Sequence, residues 1–106
     1  MIKNLTLFFL VTASCFNFKI FAQDLDQFQL QPGFQIEIFA SDLDSPRQMA
    51  EGKNGTIFVG ERGGQIVALS DSDRNGQADS KRVIAESLTY STGVSIFEGD
   101  LYFSEI

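Results

Sequence analysis

The sequence predicts an all-β fold, an antiparallel β-meander that forms the first one or two blades of a β-propeller. The first observation is a repeat: residues 43–61 and 88–105 share one order of polar turn, short strand, glycine turn and apolar strand, about 45 residues apart. Self-similarity at roughly 40–50 residues is typical of propeller blades. The second observation is a series of short apolar runs separated by glycine turns, which is typical of antiparallel strands.

The two copies align residue by residue with one small change of offset. Leu43 corresponds to Leu88 at an offset of 45, and Glu61 corresponds to Glu105 at an offset of 44. We therefore expect the two glutamates at equivalent positions in the fold. Fewer than two repeats of this length follow the leader described below, so we expect the chain to be the N-terminal part of a longer protein and to be inactive alone.

The first 22 residues have the features of a secretory signal peptide. A short basic start at Lys3 precedes an apolar run that is too short to span a bilayer, and a small residue, Ala22, offers a cleavage site. A lipoprotein, lipidated at Cys15, is the alternative. Both predict a periplasmic or secreted protein without a transmembrane segment. Residues 23–33 are then a lead-in segment, and residues 34–106 form the partial propeller.

The strands follow from alternation and from turn residues. Phe34–Ala40 alternates apolar and polar residues after a Pro-Gly turn, which predicts a half-buried strand. Thr56–Gly60 is almost entirely apolar, which predicts burial on both faces. A tight turn at Lys53–Gly55 precedes it. The remaining predicted strands are Arg47–Ala50, Gln65–Leu69, Lys81–Ala85 and the start of the second copy, Gly93–Tyr102.

Composition excludes several kinds of chemistry. The net charge of −6, with scattered basic residues, argues against nucleic-acid binding. The chain has no histidine, so it lacks the commonest general base and zinc ligand. Its one cysteine lies in the leader, so the mature part has no thiol nucleophile or disulfide. Glu61 and Arg62 are expected to be an exposed charge pair at a strand end.

An acidic loop resembles a calcium-binding pattern. Asp71, Asp73, Asn75 and Asp79 occupy positions 1, 3, 5 and 9 of that pattern, around a glycine at position 6. Position 12, which should be a bidentate glutamate, is Arg82. The sequence leaves two interpretations open, a weak calcium site and a polar hairpin around Asn75-Gly76.

Several motifs together resemble the glucose/sorbosone dehydrogenase family. They are Gln31-Pro-Gly-Phe-Gln-Ile-Glu-Ile-Phe-Ala40, Pro46-Arg-Gln-Met-Ala50, Gly55-Thr-Ile-Phe-Val-Gly-Glu-Arg62, Gly64-Gln-Ile-Val-Ala-Leu69, the acidic loop, and Gly93-Val94 through Leu101-Tyr-Phe-Ser-Glu105. The resemblance covers nearly all of residues 30–106. It implies a six-bladed propeller, exported to the periplasm, that uses pyrroloquinoline quinone and calcium to oxidise the aldehyde or hemiacetal carbon of a sugar.

The resemblance also implies where the chemistry lies. The family's catalytic histidine and basic quinone ligands are expected beyond residue 106, so no catalytic residue is assigned in this chain. The turn Tyr90-Ser91-Thr92 matches the place where an amide side chain approaches the quinone. The amide is absent here, which leaves two interpretations open: Ser91 or Thr92 donates a hydrogen bond to the cofactor instead, or the segment is an ordinary solvated turn. The electron acceptor is left open. Two alternatives remain: a non-catalytic propeller that binds a carbohydrate or protein, and a lactonase-like propeller hydrolase.

Overall fold

A computed structural model describes residues 24–106, in which six β-strands form two antiparallel sheets. The strands are β1 (Pro46–Glu51), β2 (Ile57–Glu61), β3 (Gln65–Ser70), β4 (Ser80–Ala85), β5 (Gly93–Phe97) and β6 (Asp100–Ser104). Strands β1 to β4 form a four-stranded meander in sequence order, and β5 pairs with β6 in a separate hairpin. The predicted all-β antiparallel meander is therefore confirmed.

The two helical segments in residues 24–106 are single 3-10 turns, Leu25–Gln27 and Lys53–Gly55. In this part of the chain no helix has the length and apolar character needed to cross a bilayer. The predicted signal peptide, its cleavage point after Ala22 and the alternative lipidation at Cys15 lie outside the described residues.

Burial of β2 and β3 on both faces agrees with their apolar sequences. On one face Val59, Val67 and Leu69 form the buried core cluster. The chain preceding β1 covers this cluster with Phe39, Ala40 and Leu43. On the opposite face Ile66 and Ala68 are also buried. A strand pair that is covered on both faces of the sheet needs apolar residues at successive positions, and β2 and β3 have such residues.

The second sheet packs onto the face of the first sheet that carries Gly60. A Cβ atom at Gly60 would lie only 2.9 Å from Cγ2 of Val94 and 3.3 Å from Oγ of Ser91. The backbone N–H of Val94 also donates to Oε1 of Gln48, at 3.3 Å. Glycine at position 60 therefore allows the start of β5 to approach the first sheet closely.

The backbone repeats between the two copies. Met49 pairs with Val59 across β1 and β2, and their counterparts Val94 and Phe103 pair across β5 and β6. The left-handed residues recur as well, Asp42 and Ser45 in the first copy and Ser87 and Tyr90 in the second, with φ between 54° and 60°. The repeat that the sequence indicates is thus a repeat of structure.

The offset changes from 45 to 44 at the hairpin tips. In the first copy five residues, 52–56, separate the paired residues Glu51 and Ile57. In the second copy four residues, 97–100, separate the equivalent pair, Ile96 and Leu101. One residue is therefore absent from the second tip, and the strand register on either side is unchanged.

The predicted strand at Phe34–Ala40 is wrong. This segment has no strand pairing, and the side chains of Phe34, Ile36 and Ile38 are 72%, 38% and 38% exposed. Its last residues instead pack on the core, and the carbonyl of Phe39 accepts a hydrogen bond from the N–H of Ala78 at 2.7 Å. An alternating pattern is compatible with a strand, but a strand also needs a partner edge, and none in residues 24–106 pairs with this segment.

Candidate functional site

The end of β2 and the turn before β5 bring together the polar groups on which a site would depend. Glu61 closes β2 and is 1% exposed. Its Oε1 accepts the N–H of Asp44 at 2.9 Å and lies 3.9 Å from Nζ of Lys81. The expectation of an exposed Glu61–Arg62 pair is therefore wrong for Glu61, because the turn before β1 folds over its carboxylate.

Arg62 is exposed and extends to the second copy. Its guanidinium lies over the ring of Tyr90, with Cζ 4.7 Å from the ring centroid, and Nη2 donates to the Tyr90 hydroxyl. A guanidinium above an aromatic face is attracted by the ring quadrupole, and at an exposed position the attraction is worth about 0.5–1 kcal/mol. The pair links the strand end of the first copy to the turn that enters β5.

The predicted cofactor residues lie in this same turn. Ser91 is fully buried, and its Oγ has no hydrogen-bond partner among residues 24–106. Thr92 is half-buried, and its N–H donates to the carbonyl of Ser104 at 3.3 Å. The hydroxyl of Ser91 faces Gly60 of β2 rather than open solvent. Contact of Ser91 or Thr92 with a quinone stays a prediction.

The acidic loop connects β3 to β4, and three of its carboxylates converge. One oxygen each of Asp71, Asp73 and Asp79 lie within 4.8 Å of one another. Calcium–oxygen distances of about 2.3–2.6 Å place ligands on opposite sides of the ion at about this separation. The spacing thus fits three of the six to eight oxygens that calcium takes.

Other hydrogen bonds in the loop use the same acceptors. The two carboxylate oxygens of Asp71 accept the N–H groups of Asn75 and Gly76, at 3.1 and 2.9 Å. The side-chain oxygen of Asn75 accepts the N–H of Gln77 at 2.8 Å, so this predicted ligand is engaged within the loop. These bonds lie within the polar β3–β4 connection and help to hold its conformation. Calcium binding stays a prediction.

The two predicted sites lie at opposite ends of the first sheet. The antiparallel order places the turn before β1 and the turn between β2 and β3 at one end. The loop 71–79 follows β3 and therefore lies at the other end, where Asp71 and Asn54 line a common cavity. An ion held by the acidic loop would accordingly be separate from any ligand at Tyr90–Thr92.

Asp79 is the acidic group in the loop whose environment favours its charged form. The hydroxyl of Ser72, followed by the Ser72 backbone N–H at 2.7 Å, donates to Oδ2 and lowers the pKa of Asp79 below 3.8. Because the pKa of Asp79 is lower in the folded than in the unfolded protein, its charged form stabilises the fold. This stabilisation is complete at pH values above the pKa of the unfolded state, and it is lost as the pH falls through the pKa of the folded state.

We expect the Asp79 carboxyl carbon to titrate by NMR with a midpoint below 3.8, because the charged form accepts both bonds. Ser72→Ala removes the hydroxyl donor and should raise this midpoint. Ser95→Ala, in β5, is the matched control and should leave it unchanged. An equal midpoint in wild type and Ser72→Ala would contradict the assignment.

An apolar cavity of about 360 Å³ lies between the chain preceding β1 and the core-bearing face of the first sheet. Its lining includes Phe28, Ile36, Leu43, Met49 and Val59. These residues are continuous with the core cluster, so the cavity extends the packing of the sheet.

The feature that sequence reasoning missed is the burial of Glu61. Charged side chains are mostly exposed, so a glutamate next to an arginine at a strand end is expected to be solvated. The sequence does contain one indication of a structural role, because a glutamate recurs at the same position of the second copy, Glu105. Its Oε2 accepts the N–H of Thr89 at 3.0 Å.

A protein-family model described as a domain of unknown function, DUF7133, matches residues 21–102. No curated protein and no solved structure matches the chain closely enough to count as a relative. The match spans the lead-in segment, the four-stranded sheet and most of the second hairpin. The chain therefore belongs to the DUF7133 family of domains of unknown function.

Proposed function

We propose that this chain forms the opening blades of a six-bladed β-propeller in an exported, quinone-dependent sugar dehydrogenase. The enzyme would oxidise the aldehyde or hemiacetal carbon of sorbosone or an aldose. The observation that carries the proposal is the repeated backbone, in which both copies keep one cross-strand register and have left-handed residues at equivalent turn positions. A repeated antiparallel unit of about 45 residues is the expected construction of a propeller blade.

Exposed apolar side chains support the arrangement of blades. In the β5–β6 hairpin Phe97 is 62% exposed and Tyr102 is 54% exposed, and Met49 on β1 is 72% exposed. Large apolar groups that are exposed favour burial against another surface. Further sheets of the same kind, packed as β5 packs on the first sheet, would cover them.

The dehydrogenase activity rests on the resemblance of residues 30–106 to the glucose/sorbosone dehydrogenases. When bound, pyrroloquinoline quinone supplies the two-electron acceptor. In this chain the turn Tyr90–Thr92 would help to orient the quinone, and Arg62 would hold that turn through Tyr90. Asp71, Asp73 and Asp79 would hold a separate calcium ion that braces the β3–β4 connection. Export of the protein follows from the predicted signal peptide.

The test is to express the whole protein that carries this sequence, add pyrroloquinoline quinone and calcium, and measure sugar-dependent dye reduction. We expect reduction with sorbosone or an aldose, and none when quinone is omitted. Folded protein that reduces no dye across a panel of aldoses and sorbosone would refute the proposal. Sugar binding without dye reduction would instead favour a binding propeller, and lactone hydrolysis would favour a propeller hydrolase.

A further inference from the structure

Both copies end their second strand near a glutamate that binds the turn leading into their own first strand. Glu61 accepts the N–H of Asp44 at 2.9 Å, and Glu105 accepts the N–H of Thr89 at 3.0 Å. We propose that Glu61 and Glu105 are positioning residues that fix these turns. By fixing the second turn, Glu105 places Tyr90–Thr92, and this last step rests on the proposed function.

These turns need a holding contact because their backbones are strained. Asp44 lies between the left-handed residues Asp42 and Ser45, at φ 58° and 54°. Thr89 lies likewise between Ser87 and Tyr90, at φ 60° and 54°. In this conformation the Cβ atom of a residue other than glycine comes too close to the following carbonyl oxygen, which costs free energy. A hydrogen bond to a charged acceptor is stronger than one between neutral groups, so it can offset much of that cost.

A main-chain hydrogen bond follows each glutamate and braces the same turn. The N–H of Arg62 donates to the carbonyl of Ser45 at 3.1 Å, and the N–H of Ile106 donates to the carbonyl of Thr89 at 3.0 Å. The side chain of each glutamate thus accepts from the turn, and the next residue donates to it. This paired contact occurs in both copies, which argues against a chance surface interaction at Glu105.

The first copy adds a cation to the contact. Nζ of Lys81, on β4, lies 3.9 Å from Oε1 of Glu61 and donates to the carbonyl of Asp42 at 2.5 Å. Glu61 is buried there, whereas Glu105 is exposed. The two glutamates therefore make the same contact at different depths. Glu105 can be substituted without removing a buried carboxylate that also lies near a lysine.

The strand end of the first copy also reaches the turn of the second. Arg62 follows Glu61 directly, and its guanidinium lies 4.7 Å from the centroid of the Tyr90 ring. The turn before β5 is consequently held from two sides, by Glu105 of its own copy and by Arg62 of the preceding one. This is the arrangement expected of a turn whose exact placement matters to a ligand.

The test compares Glu105→Ala with Glu105→Gln in the full chain by amide hydrogen exchange. Alanine should speed exchange of the Thr89 N–H about 10-fold or more, because its charged acceptor is lost. Glutamine keeps an acceptor oxygen and should restore most of the protection. Glu51→Ala, at an exposed position on β1, is the control and should change neither this amide nor the N–H of Asp44.

Titration with pyrroloquinoline quinone separates the two parts of the proposal. We expect Glu105→Ala to weaken quinone binding about 10-fold and Glu105→Gln to leave it near wild type. Unchanged Thr89 exchange in Glu105→Ala would overturn the holding contact, whether or not the wild type binds quinone. Faster exchange with unchanged quinone affinity would overturn the link to the ligand. Absence of quinone binding in wild type would count against the proposed function and leave the exchange result decisive for the contact.

Discussion

Gly64→Ala should lower the free energy of unfolding by about 2–5 kcal/mol. Gly64 has φ +91°, and a Cβ atom there would lie 2.3 Å from the carbonyl oxygen of Leu88. The left-handed conformation alone costs an alanine about 1–2 kcal/mol. The overlap adds about 1–3 kcal/mol, because a main-chain oxygen cannot rotate aside as a side chain can. Relief of the overlap would move Leu88 away from position 64. This movement would weaken the hydrogen bond that the Leu88 N–H donates to the Gly64 carbonyl, which is now 3.0 Å long.

Gly33→Ala is the matched control for this substitution. Gly33 has nearly the same φ, +90°, but nothing lies within 4 Å of its Cβ position. Its cost should not exceed the conformational term of about 1–2 kcal/mol. Thermal or urea unfolding of both variants against wild type gives the difference. If Gly64→Ala costs no more than Gly33→Ala, the close approach of Leu88 is wrong.

Ile66→Ala should destabilise the protein by about 3–5 kcal/mol, near the upper end for such truncations. Ile66 is fully buried on β3. Its cross-strand neighbours on the same face are Gly60 and Ala85, which are too small to fill the space left by the lost atoms. The cost of a truncation rises with the cavity that remains, so this site should collapse poorly.

Ile84→Ala provides the comparison, because Ile84 lies on the neighbouring strand β4 and is 45% exposed. It should cost less than about 1 kcal/mol. Ile66→Val, which removes a single methylene, should cost about 0.5–1.5 kcal/mol. Urea unfolding gives the free energy of unfolding of all three variants, provided that its dependence on denaturant concentration is the same as in wild type. Equal losses for Ile66→Ala and Ile84→Ala would contradict the burial of Ile66.

The strands that sequence reasoning identified correctly are those whose partners are close in the chain. Gln65–Leu69 was expected and Gln65–Ser70 is observed, because its neighbours β2 and β4 are joined to it by local turns. Phe34–Ala40 has the same kind of local pattern but lacks a paired edge in residues 24–106. Local alternation reports which side chains suit a strand, whereas pairing is decided by the rest of the fold.

The candidate site was predictable to a similar degree. Converging carboxylates at Asp71, Asp73 and Asp79 follow from short spacing in one loop, and the structure brings them together. The burial of Glu61 depends on Asp44 and Lys81, which lie 17 and 20 positions away in sequence. No local pattern encodes such contacts. The repeat indicates these contacts indirectly, because residues at equivalent positions of two copies tend to make the same contact, as Glu61 and Glu105 do.

The hairpin tips have a practical consequence for engineering this protein. The tip at Lys53–Gly55 is one residue longer than the tip at Glu98-Gly99, yet the register beside each is the same. This end of the unit therefore tolerates changes of length, whereas the opposite end is fixed by the glutamate contacts. A fluorescent label or an epitope inserted at either tip should leave both sheets intact, because exposed loop tips accept insertions best.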